Sequence, residues 1–257
     1  ELTIMTFPGV PSEMHRMWQD TAVPFLKSQG WGKDTIYSEM MRFRGIGESA
    51  LAEKVSHLFD SANPTVAPYA GKGEVRLRVA AKASSQIEAE AIIKPVATEI
   101  KQIAGLNYFG SNEDTLAAVV GKLLTDAQQT LSVAESCTGG GLGAILTETP
   151  GSSNYFLGGK IAYANRIKQT LLEVKEQDLI QYGAVSSTVA EQMAGGVKQR
   201  LQTDWGIGIT GIAGPGGDTS DKPVGLVYIG IATPGGETLS CEYRFGDTRG
   251  RELIRYL

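Results

Sequence analysis

Apolar residues recur along this chain with two periods, near 3.6 and 2, and the switches between them outline its elements. In EDTLAAVVGKLLTDAQQ, residues 113–129, the leucines, valines and alanines recur at helical spacing, and TLSVAES directly after it is a short apolar strand. The alternation continues as helix LGAILTETPG, strand GKIAYAN, helix RIKQTLLEV, helix STVAEQMAGGVKQRL and strand DWGIGITGIAG. Two near-continuous strands follow, VGLVYIGIAT and ETLSCEYRF, and a helix begins in DTRGRELIRYL. Such alternation implies a sheet covered by helices, so residues 108–257 are predicted to form a three-layer α/β/α domain.

Residues 33–107 carry a different order: strand, helix, paired strands, helix. TIYSEMMRFRGI alternates as a strand, GESALAEKVSHLF places Leu51, Val55 and Leu58 at helical spacing, and EVRLRVAAKA turns Val75, Leu77 and Val79 inward. SQIEAEAIIKPVATEIKQIAG returns to a helical period, and Pro64 and Pro68 mark the loop between the halves of this small α+β module. Residues 1–32 hold one apolar stretch, the turn Pro8-Gly9-Val10-Pro11 and one helix-like segment with Ser12 as the expected cap. One strand and one helix cannot enclose a core, so this segment is expected to be the tail of a domain lying mostly upstream.

Composition narrows the function classes. The chain has 257 residues, 42% of them hydrophobic, enough for one large domain or a few small ones. A net charge of −4 and a pI near 5.4 argue against a general nucleic-acid binder, which needs a basic surplus. Two cysteines, Cys137 and Cys241, are too few for a disulfide scaffold, so a reducing cytoplasm is the expected location. No apolar run approaches the ~20 residues that span a bilayer, and no membrane association is expected. Both histidines, His15 and His57, lie in the first quarter of the chain. That excludes a Ser-His-Asp triad or an imidazole-based metal site confined to residues 108–257.

The stretch SVAESCTGGGLG, residues 132–143, delivers Ser136 from a strand into a glycine turn, where ligand crevices of α/β sheets lie. Thr138, Gly139 and Gly140 would bring backbone donors near whatever Ser136 holds, as in an oxyanion hole or a phosphate cradle. Ser136 can equally be a helix N-cap among glycines chosen for packing. A serine nucleophile requires a base, and without histidine the choices are lysine, tyrosine or carboxylate. YANRIKQ sets Tyr163 and Asn165 at a strand end and Lys168 just inside the next helix. If that strand neighbours the Ser136 strand, the lysine reaches across the crevice; otherwise it is a solvated lysine on an amphipathic helix.

GIGITG, residues 206–211, matches G-x-G-x-x-G only formally, because IAGPGG and not a helix follows. Thr210 and the turn from Gly211 to Gly214 are expected to form a second wall of the crevice, the strand glycines marking close approach of a ligand or a helix. In FGDTRGRE, Asp247 can cap a helix while Arg249 and Arg251 sit in its first turn, an arrangement that suits a shared anion or else two solvated arginines. Cys137 and Cys241 are read as packing residues.

Taken in order and spacing, AESCTGG, GSSNYFLGGKIAYANRIKQ, YGAVSSTVAEQMA, ITGIAGPGG, KPVGLVYIGIA and FGDTRGRE closely resemble the CinA C-terminal domain, a family that includes nicotinamide mononucleotide amidohydrolases. Upstream, FPGVPSEM resembles the end of the molybdopterin-binding-like α/β domain that begins full-length CinA proteins, and residues 33–105 resemble their KH-like middle module. The resemblance implies three parts: the tail of the first domain (1–32), the KH-like α+β module (33–107) and the amidohydrolase domain (108–257).

It further implies hydrolysis of the carboxamide of nicotinamide mononucleotide to nicotinate mononucleotide and ammonia. Ser136 would attack the amide carbon, Lys168 would take the serine proton and Tyr163 would orient or relay. Backbone groups at Thr138, Gly139 and Gly140, with Thr210, would hold the oxyanion, and Arg249 would meet the phosphate. Asn165, Gly211 and Gly214 complete the expected substrate contacts. No metal or cofactor is implied for the amidase. The family's first domain is associated with a divalent-metal-dependent ADP-ribose pyrophosphatase, of which only the PGVP turn and the following helix fall in this sequence. RGIGES lacks the G-x-x-G clamp of KH domains, so nucleic acid is not the expected partner and the module reads as a spacer or an element of a homodimer. A nucleotide-binding regulatory protein and an ADP-ribose pyrophosphatase stand as alternative functions.

Overall fold

In the computed structural model, which describes residues 3–31, 35–71 and 73–257, the chain divides into two units, Glu1–Asp114 and Thr115–Leu257. The first opens with a continuous helical run, α1 (Pro11–Met17), a π-turn (Trp18–Ala22) and α2 (Val23–Ser28). Its cap is the extended Val10, with Pro11 in the first turn, rather than Ser12. Proline suits that place because its fixed φ is helical and its missing N–H has no partner there. Ala22 is the one buried residue of this run.

The rest of the first unit comprises β1 (Thr35–Phe43), α3 (Glu48–Lys54), β2 (Thr65–Gly71), β3 (Glu74–Ala83), α4 (Gln86–Ala104) and β4 (Tyr108–Ser111), with the sheet ordered β2-β3-β1-β4. The period-2 pattern of β3 buries Val75, Leu77, Val79, Ala81 and Ala83 against Leu51 of α3 and Ile93, Ala97 and Ile100 of α4. Pro68, expected in a loop, lies within β2, an edge strand whose outer side requires no donor. Tyr108–Ser111 also departs from expectation: it pairs with β1 through Arg42↔Gly110 and Phe43↔Tyr108, so residues 108–114 belong with the first unit. The boundary expected between residues 32 and 33 lies outside the described residues.

The second unit contains α5 (Leu116–Asp126), β5 (Leu131–Glu135), α6 (Gly141–Thr147), β6 (Phe156–Ile161), α7 (Asn165–Leu172), α8 (Glu176–Tyr182), α9 (Ser187–Leu201), β7 (Trp205–Gly211), β8 (Leu226–Ala232), β9 (Thr238–Arg244) and α10 (Gly250–Tyr256). Its sheet runs β6-β5-β7-β8-β9, the first three strands parallel and the last two antiparallel. Every residue of β5 is buried. Leu131 and Val133 join Leu124, Leu146 and Tyr155 on one side, while Ala134 joins Leu172, Met193 and Val197 on the other. Helices therefore cover both faces of this strand, and the unit is the three-layer α/β/α arrangement.

The strand glycines mark the approach of a helix. A Cβ on Gly206, Gly208 or Gly230 would lie 2.2, 2.4 or 2.3 Å from a carbonyl oxygen of α9. The strand expected at residues 159–165 begins and ends earlier, at Phe156–Ile161, which leaves Tyr163 in the bend before α7. Cys241, expected in the core, is exposed on the edge strand β9.

Candidate active site

Three parallel strands finish side by side and set up the crevice. Beyond β5, Ser136 N–H donates to Ile209 O of β7 at 3.0 Å, and Ala162 N–H, just past β6, donates to Glu135 O at 2.8 Å. The next residues of all three strands thus open into one place, as expected beyond the carboxyl ends of parallel strands. A cleft of about 260 Å³ lies there, lined by Ser136, Cys137, Tyr163, Asn165, Lys168, Thr210, Gly211, Gly214 and Arg251, with backbone-rich walls at 184–185 and 212–217. These lining residues include two cations and no carboxylate, a composition suited to an anionic ligand.

Ser136 and Lys168 meet at its floor. Lys168 is 1% exposed, and its Nζ lies 2.9 Å from Ser136 Oγ, 2.8 Å from Ala162 O and 3.0 Å from Tyr163 O. An ammonium would donate to all three oxygens. A neutral amine keeps two N–H groups for the carbonyls and turns its lone pair to the Ser136 hydroxyl, which then donates to it. The site accommodates both protonation states without moving a heavy atom. Burial lowers the Lys168 pKa to about 8. The same desolvation raises the Cys137 thiol to about 11, and Cys137 packs with Ile209, Ala213, Val227 and Ile254. Next to Ser136, that sulfur is a protonated packing group.

Several expected site residues occupy other roles. Tyr163 lines the cleft, but its carbonyl, not its phenol, meets Lys168; the phenol oxygen accepts from Arg251 Nη2 at 3.3 Å. Thr210 Oγ1 donates to Ala184 O at 2.8 Å, so its single hydroxyl hydrogen pins the facing wall instead of an oxyanion. Lys222 Nζ donates to Val185 O at 2.7 Å and holds the same wall. Asn165, Gly211 and Gly214 line the cleft as expected.

Thr138, Gly139 and Gly140 do not line it. Gly139 N–H donates to Ser136 O at 3.1 Å, and the carboxylate of Glu135 accepts from the N–H groups of Gly140 at 3.0 Å, Leu142 at 3.0 Å and Gly143 at 2.8 Å. The first turn of α6 is thus occupied by an internal anion and cannot cradle a ligand's phosphate. Glu135 was not singled out from sequence, although a carboxylate inside an apolar strand signals buried partners. Arg249 is exposed in the 3₁₀ turn Asp247–Arg249. Arg251, in the first turn of α10, reaches the cleft instead and donates from Nη1 to Gly214 O at 2.7 Å. Among the described residues no group of three or more His, Cys, Asp or Glu side chains could hold a metal ion, and no helix is long and apolar enough to cross a membrane.

Comparison with known proteins agrees with this architecture. The CinA C-terminal domain family matches residues 113–256, and the damage-inducible protein CinA KH domain matches residues 38–110. A CinA-like protein of Gloeothece citriformis is 66% identical over 256 residues, covering 100% of this chain and 61% of that protein. One from Nostoc punctiforme is 65% identical over 257 residues, covering 100% and 62%. The chain therefore spans about six-tenths of the length of these curated relatives. Among solved structures, the competence/damage inducible protein CihA from Agrobacterium tumefaciens has 41% identity and a TM-score of 0.53, covering 55% of this chain and 84% of that one. A CinA superfamily protein from Escherichia coli has 30% identity and a TM-score of 0.51, covering 55% and 83%.

Proposed function

The chain belongs to the CinA family, and from that premise we propose that its second unit hydrolyses the carboxamide of nicotinamide mononucleotide, with Ser136 as nucleophile and Lys168 as base. The observation that carries the proposal is the 2.9 Å contact between Lys168 Nζ and Ser136 Oγ, made by an amine with two backbone carbonyls for its remaining hydrogens. Neutral Lys168 accepts the hydroxyl proton as Ser136 Oγ bonds to the carboxamide carbon. The carbonyl oxygen becomes an oxyanion, and the backbone N–H of Cys137, the residue after the nucleophile and part of the cleft lining, is the donor we assign to it. Lys168 then gives its proton to the carboxamide nitrogen, the C–N bond breaks and ammonia departs. Water, deprotonated by the same amine, attacks the Ser136 ester; the C–Oγ bond breaks, the lysine returns the proton to Ser136 Oγ and nicotinate mononucleotide departs. Each half-reaction returns the lysine to its starting state.

The phosphate of the substrate fits the cation-bearing lining, with Arg251 as its partner in place of Arg249. Direct assay of ammonia release from nicotinamide mononucleotide tests the reading. Ser136→Ala and Lys168→Ala should each lose ~10³-fold or more in kcat, the scale on which removal of a nucleophile or its base acts. Full turnover by Ser136→Ala would dismiss it.

A further inference from the structure

We propose that Arg255 is a positioning residue for the hydrolytic site: its guanidinium fixes the turn that carries Ser136. This rests on the Ser136–Lys168 reading above. From α10, Arg255 Nη2 donates to Thr138 O at 2.9 Å and its Nε donates to Cys137 O at 3.2 Å. One planar fork thereby takes two consecutive carbonyls with donors from two different nitrogens held in a fixed plane. Because a trans peptide points its C=O and the next N–H in opposite directions, drawing these carbonyls toward α10 turns the N–H groups of Thr138 and Gly139 away from it. The Gly139 N–H then meets Ser136 O.

Gly139 is shaped for this contact. Its φ is +62°, and a Cβ there would stand 3.1 Å from Arg255 Nη2. Behind the turn, Glu135 holds Gly140, Leu142 and Gly143, so residues 136–143 are gripped by a buried anion on one side and a cation on the other. No hydrogen bond joins Arg255 to Ser136 Oγ or Lys168 Nζ, whose partners are each other and the two carbonyls. Its helix is anchored by Ile254, 3% exposed, and four residues before Arg255 the same face carries Arg251, bonded to Gly214 O and the Tyr163 hydroxyl. One helix therefore ties down both walls of the cleft, and Arg255 serves the nucleophile's wall.

Arg255 does not itself line the cleft, so its loss removes no cleft-lining group and substrate binding should persist while the alignment of Ser136 with Lys168 loosens. For Arg255→Ala we expect kcat to fall ~10- to 100-fold, as for a small misplacement of a reacting group. KM should change less than ~3-fold and the midpoint of the pH–rate curve should stay in place, because the burial of Lys168 is untouched. Arg255→Lys, able to reach one carbonyl, should recover part of the loss. A second readout does not depend on the substrate: the rate at which a fluorophosphonate labels Ser136, located by peptide mass spectrometry. Slower labelling in Arg255→Ala, partly restored in Arg255→Lys, with near-parental melting temperatures, supports the proposal; equal rates overturn it. Should the alanine variant fail to fold, Arg255→Lys against the parent carries the same comparison. Labelling of the parent without ammonia release would sink the choice of nicotinamide mononucleotide but leave Arg255 testable by label. A parent protein in which Ser136 does not label at all removes the nucleophile and this proposal with it.

Discussion

Replacing Glu135 with alanine removes the acceptor on which the nucleophile's turn is built. The carboxylate is 2% exposed and receives three N–H groups, from Gly140, Leu142 and Gly143. Each buried amide left without an acceptor costs about 1–3 kcal/mol. Against that stands the release from desolvating a charge and the entry of water into the space the side chain leaves. Those offsets keep the cost toward the low end of the three-amide sum, so the Glu135→Ala variant is expected to lose about 3–5 kcal/mol. Glu135→Gln retains one acceptor oxygen but points an NH₂ at an amide that needs one, so about 2 kcal/mol is expected for it. The two units need not unfold together, so the assay must watch the second alone. Trp205 is the tryptophan of that unit, and with Trp18 and Trp31 changed to phenylalanine its fluorescence in urea follows the relevant transition. Should Glu135→Ala lie within about 1 kcal/mol of its parent, the carboxylate is not what holds the turn and the reasoning fails.

Four further outcomes follow from the structure. In the proposed mechanism the neutral amine is the working form, and burial sets the Lys168 pKa to about 8, so kcat/KM should climb tenfold per pH unit below about 8 and level off above it; a profile flat from pH 6 to 9 contradicts this. The unfolded chain holds that proton up to the ordinary lysine value of 10.5, so this group's contribution to stability should grow as pH rises from about 8 to 10.5, visible as a difference from Lys168→Met. Iodoacetamide at pH 8 should modify exposed Cys241 and spare buried Cys137, whose thiol lies near 11, and mass mapping that finds Cys137 alkylated in the folded protein refutes the assignment. Gly208→Ala would set a Cβ 2.4 Å from Ala190 O, and the urea midpoint should fall by the equivalent of about 2 kcal/mol or more; an unchanged midpoint would falsify the close packing of α9.

The meeting of Ser136 with Lys168 was legible in the sequence because exclusion and topology converged on it. Without histidine in the second half, Ser136 needed another base, and Lys168 followed the next strand end. Adjacent parallel strands convert that order into contact. Side-chain allegiance was harder to read. Glu135 looked like one more strand position, and nothing local says that the amides of the α6 turn serve it rather than a ligand. Arg249 was the arginine expected at the phosphate, but the change from 3₁₀ turn to α-helix sent it outward and brought Arg251 over Gly214.

The remaining departures have long-range causes. Tyr108–Ser111 has the composition of a strand, but its partner β1 lies some seventy residues earlier, and only pairing assigns it to a unit. Period-2 alternation identified β9 without revealing that its Cys241 face would remain exposed. Glycines within β7 and β8 did announce a close neighbour, and the choice between a ligand and α9 was made by packing alone.

The protonation of one nitrogen tests the mechanism most directly. With lysine carbons and nitrogens isotopically labelled, the Lys168 Cε–Nζ resonance, assigned by its absence in Lys168→Met, can be followed by NMR from pH 6 to 11. A midpoint near 8 is expected for an amine buried against Ser136. An ammonium that persists to the ordinary lysine value of 10.5 would mean that this side chain cannot deprotonate the serine under working conditions.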